Sequence, residues 1–249
     1  MSLRNRVRVI AIVVIALWIV VGLWLLPAKE FGTGWMLLSA FLATLIGLAI
    51  VNLAVRPHLT RFRTALAHED IPTAQQELAV LVDFFRLRGR ERMKANGINI
   101  LMLEERYQEA LTGLQALNIR RLGKKFSPVI TNQMAWCTAQ LGEPAGAIAL
   151  TQPVLQQLES MGAEYSSSAH LVLGTANFLL GNAAAAVPHL EQAYTSATAS
   201  PSRKATAAFY LGESYSMLGK MAEAHLAYQH AVETLPNGRY GKRAWERMK

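Results

Sequence analysis

The chain of 249 residues has one cysteine, Cys137, and little charge, with Asp, Glu, Lys and Arg making up 17%. A single thiol excludes a disulfide framework and a multi-cysteine zinc site, and it points to a small buried side chain in a reducing compartment. Residues 127–200 contain no Lys or Arg at all, against four acids. Catalytic spacings are missing too. There is no G-x-x-x-x-G-K-[ST], since Gly219-Lys220 is followed by Met221, and there is no G-x-S-x-G and no H-E-x-x-H. His225 and His230 lie five apart, out of line for a shared metal on one helix face. His68, Glu69 and Asp70 precede Pro72, where helix capping accounts for them. The expectation is a protein that is not an enzyme, with no catalytic residue, metal or cofactor.

What is abundant is apolar. Hydrophobic residues make up 52% and the mean hydropathy is +0.19. The excess sits in the first 55 residues. Apart from Arg8 at its start, the run 7–26 carries no charge, nor does 35–55, and each run is about long enough to cross a ~30 Å hydrocarbon core as a helix. Pro27, Gly32 and Gly34 break the chain between them. Residues 1–56 are therefore expected to form a transmembrane hairpin. A cleaved signal peptide is the competing reading of the first run. It fits less well, because the run is long for such a segment, no A-x-A site follows, and a second run comes at once. Ser39, Ala43 and Gly47 recur every four residues in the second run, a small-residue face on which another helix can pack closely. Neither run holds an ionisable residue at mid-membrane, which argues against a transporter or channel.

Charge sets the orientation. Arg4, Arg6 and Arg8 stand before or at the start of the first run, and Arg56, Arg61 and Arg63 follow the second. The loop between has Lys29 offset by Glu30. The positive-inside rule then places both termini in the cytoplasm, in a two-pass protein of the inner (cytoplasmic) membrane. The formal net charge of +8 is explained by these flanks, so nucleic acid is not an expected partner.

From residue 57 the chain is rich in Ala and Leu and reads as helix. Ala208, Leu211, Gly212, Tyr215, Gly219, Ala224, Tyr228, Ala231 and Pro236 stand in a fixed order that closely resembles the tetratricopeptide repeat, with Ala208 in place of its opening Trp and Tyr228 in place of its Phe. Leu173, Gly174, Gly181, Ala186, Leu190 and Ala193 form an earlier copy. Met134, Ala135, Gly142 and Ala147 form a weaker one, and Tyr107, Ala110, Leu114 and Leu117 repeat mainly its second helix. Ala74 and Leu78 suggest a degenerate first copy. The alanines 74, 110, 147, 186 and 224 are 36, 37, 39 and 38 residues apart, longer than the family's repeat of about 34, so the connections carry insertions.

The expected fold is all-α: the hairpin followed by an α-solenoid of about five helix pairs over residues 57–249, at 57–89, 91–122, 128–160, 167–199 and 205–237. Gly238–Lys249 forms a short cap with Arg239, Lys242, Arg243, Arg247 and Lys249 outward. Two antiparallel helices cannot bury their apolar faces alone, so the pairs must stack.

The resemblance implies a concave groove lined by the first helix of each pair, binding a protein or peptide partner. Carried onto this chain, the groove residues are Arg92, Asn99, Asn132, Trp136, Gln140, Thr175, Phe178 and Glu213. Amides there suit a peptide backbone and the aromatics suit apolar side chains, although Trp136 and Phe178 read equally as inter-repeat core. Two basic clusters, Arg86–Lys94 and Arg120–Lys125, read either as contacts to anionic lipid head groups or as solvated loops. The lipid bilayer itself is an expected partner. The expected function is a membrane-anchored adaptor or scaffold. The alternative is an accessory factor of a membrane pathway, similar in architecture to the two-span tetratricopeptide proteins associated with haem biosynthesis; a third reading, weaker for want of clustered acid, base or nucleophile motifs, is an enzyme with an unrecognised site.

Overall fold

The computed structural model describes residues 33–84 and 90–249, with Val9, Ile12, Val13 and Ala16. The side chains of residues 33–40, 43, 47, 48, 50, 51 and 90 lie outside that description. The first expected span, the small-residue face of the second, and Arg86 and Arg88 of the basic cluster therefore fall outside the described residues. Among the described residues no helix is long and apolar enough to cross a membrane.

Helix α1 (Thr33–Ala67) runs unbroken through Pro57 and carries the chain from the second apolar run into the first helix pair. Its two halves differ in surroundings. Phe41, Leu42, Leu45, Ile46 and Leu53 are exposed, whereas Val55, Phe62 and Ala65 are buried. With the half-buried Leu59, the later residues recur at three- and four-residue steps, so they form one stripe facing a core. That core is completed by Ala74 and Leu81 of α2 (Ile71–Phe84) and by Met93 and Ile100 of α3 (Arg90–Leu103).

The later pairs repeat the design. α4 (Tyr107–Gln115) returns along α3. A connection holding α5 (Ile119–Leu122) and a short 3₁₀ turn leads to α6 (Ser127–Gln140), which starts with Pro128 in its first turn. The partner of α6 is split into α7 (Pro144–Thr151) and α8 (Leu155–Ser160). The break falls at Pro153, which has no amide hydrogen to continue the ladder. Then come α9 (Ala163–Leu179) with α10 (Ala183–Thr195), and α11 (Pro201–Met217) with α12 (Met221–Thr234). Ser200 caps α11 by accepting the Arg203 amide at 3.3 Å. The last helix is α13 (Arg239–Met248). The described residues are helical with no strand.

The alanines of the repeat register, Ala74, Ala110, Ala147, Ala186 and Ala224, are all buried, one in the second helix of each pair. Small residues there let two backbones approach closely. Each pair turns in the same way. In the fifth, the Lys220 amide donates to the Tyr215 carbonyl and the Gly219 amide to Ser216; in the third, Glu143 donates to Thr138 and Gly142 to Ala139. This closure requires one residue in the left-handed region. Gly142, Gly181 and Gly219 supply it, with φ of 92°, 82° and 73°. In the first two pairs the position falls to Glu69 (φ 57°) and Glu105 (φ 59°), where a side chain costs roughly 1–2 kcal/mol.

Candidate functional site: the concave face and its closure

Side chains of the first helices reach one another between pairs. Gln133 Nε2 donates to Asn99 Oδ1 at 2.7 Å, joining the second and third pairs. Gln140 Nε2 donates to the Tyr210 hydroxyl at 3.3 Å, joining the third pair to the fifth. The Phe178 ring lies 5.5 Å from that of Tyr210. Trp136 is half-buried where three core clusters meet. Gln140 and Phe178 thus meet at Tyr210, Trp136 lies between neighbouring pairs, and Asn99 is tied to Gln133.

The other expected groove residues are placed differently. Asn132 is buried, its amide donating to Ser168 Oγ at 3.1 Å and its carbonyl accepting from Thr151 at 3.4 Å. Thr175 is fully buried. Glu213 accepts the Tyr228 hydroxyl at 2.7 Å and pairs with Arg247 at 2.8 Å. Arg92 is exposed at the far edge, its guanidinium 5.4 Å from the Phe126 ring centre. Asn132 and Glu213 fall into inward register because the helical period carries every fourth residue there, but packing decides which of them a partner can reach.

The cap also departs from expectation. Arg239 points inward. Its Nη1 donates to the Met102 carbonyl at 3.3 Å, the Tyr107 hydroxyl at 3.0 Å and Glu105 at 3.4 Å. Burial pushes the Tyr107 phenol up to about 12, so it stays protonated there. Arg243 reaches Glu105 at 2.6 Å. The Glu69 carboxylate accepts the Ser202 hydroxyl at 2.6 Å and the Arg239 backbone amide, in the first turn of α13, at 2.7 Å. An anion at a helix N-terminus is favourable in itself. The two left-handed glutamates therefore hold the end of the chain against its beginning, and the array closes on itself. Sequence inspection missed both. Their signal is positional: each stands five residues before a register alanine, where the other three copies have glycine.

Substituting glycine at each separates the turn from the closure. Glu69→Gly relieves roughly 1–2 kcal/mol of backbone cost but removes two bonds to a charged acceptor, worth about 1.5–3 kcal/mol each. A net loss in denaturant unfolding is expected. At Glu105 the ion pairs are partly exposed and worth about 0–1 kcal/mol, so Glu105→Gly should be neutral or slightly stabilising. Stabilisation by both substitutions would mean that the Glu69 contacts add nothing.

Histidines pack elsewhere in this region. His170 Nδ1 lies 2.9 Å from His189 Nδ1, with the rings stacked at 5.1 Å, and Glu159 is 3.4 Å from His170 Nε2. One proton can be shared between the two facing nitrogens, and burial followed by the neighbouring His170 holds the His189 imidazole below its ordinary range. His230 stacks on Tyr194 at 5.6 Å. Cys137 is fully buried, and burial pushes its thiol up to about 12. Among the described residues no group of three or more His, Cys, Asp or Glu is placed to hold a metal.

The turn geometry, the register alanines and the close approaches at Gly174 and Gly212 are those of a stacked helix-pair repeat. Residues 164–237 match the tetratricopeptide repeat family. The match spans the fourth and fifth pairs, where the signature is fullest. No curated protein matches the chain. A tetratricopeptide domain is generally a protein-interaction scaffold. Among the described residues three buried polar atoms lack a hydrogen-bond partner, Gln133 Oε1, Thr175 Oγ1 and Arg239 Nε. Gln133 was also missed from sequence, because it lies one residue off the expected stripe.

Proposed function

We propose that this protein is a scaffold anchored in the inner (cytoplasmic) membrane by two N-terminal helices, residues 1–56, with the tetratricopeptide array of residues 57–249 holding a protein partner in the cytoplasm. The observation that carries the anchoring is the junction within α1. Exposed Phe, Leu and Ile side chains line the helix up to Leu53, and burial begins at Val55. A helix face of that kind is stable when lipid covers it. The partner reading rests on the tetratricopeptide match and on the amides and aromatics of the expected groove, Asn99, Gln140, Trp136 and Phe178.

Reporter fusions test the topology. A reporter after Lys249 should behave as cytoplasmic and one at Gly32 as external; a C-terminal reporter outside would overturn the orientation. Partner capture from native membranes tests the groove. Asn99→Ala with Gln140→Ala should reduce recovery of the main co-purifying protein by about tenfold or more, as expected for loss of central contacts of about 1–2 kcal/mol, with little change in thermal unfolding. Undiminished recovery would remove both residues from the site. Asn132 is unsuited to that test, since its amide is buried and bonded within the array.

A further inference from the structure

The basic residues of the first two pairs gather on one edge of the array, the edge from which α1 departs. Helices alternate in direction, so the turns at Glu69, Glu105, Gly142, Gly181 and Gly219 share one edge and the connections between pairs share the other. α1 enters from the connection edge. There Arg92, Arg120, Arg121, Lys124 and Lys125 are all exposed. Among the described residues no carboxylate forms an ion pair with any of the five. The nearby acid, Glu91, is buried and engaged by Lys94 at 3.0 Å and the Asn118 amide at 3.1 Å. Glu69, Asp70, Glu104 and Glu105 stand at the opposite, turn edge.

Closure sets these connections apart from the cations of the last pair and cap. Ser202 and Arg239, on the connection edge of the last pair and cap, rest on Glu69 at the turn edge of the first. One circuit of the array thus rises by about the height of a pair, and the later connections are lifted away from the α1 side. Those later connections are uncharged in one sign: residues 127–200 contain no Lys or Arg. Cations return at Arg203, Lys204 and in the cap, where Arg239 and Arg243 are engaged by Glu105 and Arg247 by Glu213. Phe126 sits half-buried among them, with Arg92 and Lys125 each 5.4 Å from its ring centre.

We propose that this edge, with Arg92, Arg120, Arg121, Lys124 and Lys125 set around Phe126, docks on the surface of an anionic phospholipid bilayer. The inference rests on the reading that α1 enters the membrane. Attraction to anionic lipid falls off within a Debye length of about 10 Å, so the cations act only if the edge is held near the head groups. The unbroken helix through Pro57 holds it there, because Val55 is already part of the first core. The five charges then fix the tilt of the array and present its inner face sideways, along the membrane.

The test uses the full chain with Ser127→Cys, labelled with an environment-sensitive fluorophore. Ser127 is exposed beside the basic connection, and the native thiol Cys137 is fully buried and stays unlabelled. The chain is reconstituted into phosphatidylcholine vesicles with and without phosphatidylglycerol. Acrylamide should quench the label less on the phosphatidylglycerol vesicles. Each of Arg120→Gln, Arg121→Gln, Lys124→Gln and Lys125→Gln should shift the docked-to-undocked ratio about fivefold, with helix content by circular dichroism unchanged as the control for folding. Equal quenching on the two vesicle types, or no change in the fourfold variant, overturns the proposal. Equal protection by inorganic phosphate or a soluble oligonucleotide also overturns it, by showing a general phosphate binder. A high-salt wash separates the two readings. Release from the vesicles removes the membrane-spanning reading and leaves a peripheral contact, whereas a retained chain with an equally quenched label keeps the span and removes the docking edge.

Discussion

Tyr240→Ala should lower the unfolding free energy by about 3–5 kcal/mol, the range for deleting a fully buried aromatic side chain. Among the described residues Tyr240 is the largest fully buried side chain. Its ring lies 5.3 Å from Phe209 and 5.4 Å from Tyr210, and the guanidiniums of Arg239 and Arg243 stand 4.8 and 5.2 Å from its centre. Its hydroxyl is 3.3 Å from that of Tyr210, which also accepts from Gln140. The ring therefore couples α13 to α11 and, through Gln140, to the third pair. Removing it leaves a cavity and frees the helix whose first amide binds Glu69. Hydrogen exchange should quicken over Arg239–Met248 in the alanine variant. Tyr240→Phe keeps the packing and loses one hydroxyl contact, a change of about 0.5–1.5 kcal/mol. An alanine variant as stable as the phenylalanine one would show that the cap is not held by this ring.

Gly212→Ala should cost about 1–3 kcal/mol, as for overpacking a tight contact. A β-carbon at Gly212 would fall against the ring of Tyr228 on the paired helix. The ring cannot swing aside cheaply. Its hydroxyl donates to Glu213 at 2.7 Å, and Glu213 is held in turn by Arg247 of α13. Gly174 makes the same approach one pair earlier, to the side chain of Leu190 with the Leu190 backbone nitrogen at 3.1 Å; the leucine carbons can yield by a rotamer change where the anchored ring cannot, so Gly174→Ala should cost less. Chemical unfolding of the two single variants measures the difference. Equal costs would mean that the Tyr228–Glu213–Arg247 chain does not stiffen the contact. Gly212→Ala placed in a Tyr228→Leu background should lose most of its additional effect, since the flexible leucine can yield.

The helix-pair register was legible in the residues because it depends on local sizes and steps. An alanine where two backbones touch, a glycine where a turn needs positive φ, and a glycine opposite a ring are each dictated by covalent geometry. Ala74, in the faintest copy, is as buried as Ala110 and Ala147. The length of the array and the place of its insertions follow from the same spacing. The burial of Cys137 follows from residue type.

Position along a helix, in contrast, could not say what stands opposite. Asn99 and Asn132 both lie on the expected inward stripe, yet Asn132 is enclosed by Thr151 and Ser168 while Asn99 meets Gln133. Arg239 reads as one more surface cation of a polar cap, and it is turned inward because the last helix meets the second pair. Glu69 and Glu105 read as loop acids. Their role exists only once the array has turned far enough for residues 133 and 138 positions away, Ser202 and Arg243, to arrive beside them. Local chemistry in the sequence by itself determined a helical array of the tetratricopeptide kind. The tertiary structure decided that this array closes, because closure depends on the accumulated rotation of five stacked pairs, and no single repeat encodes that sum.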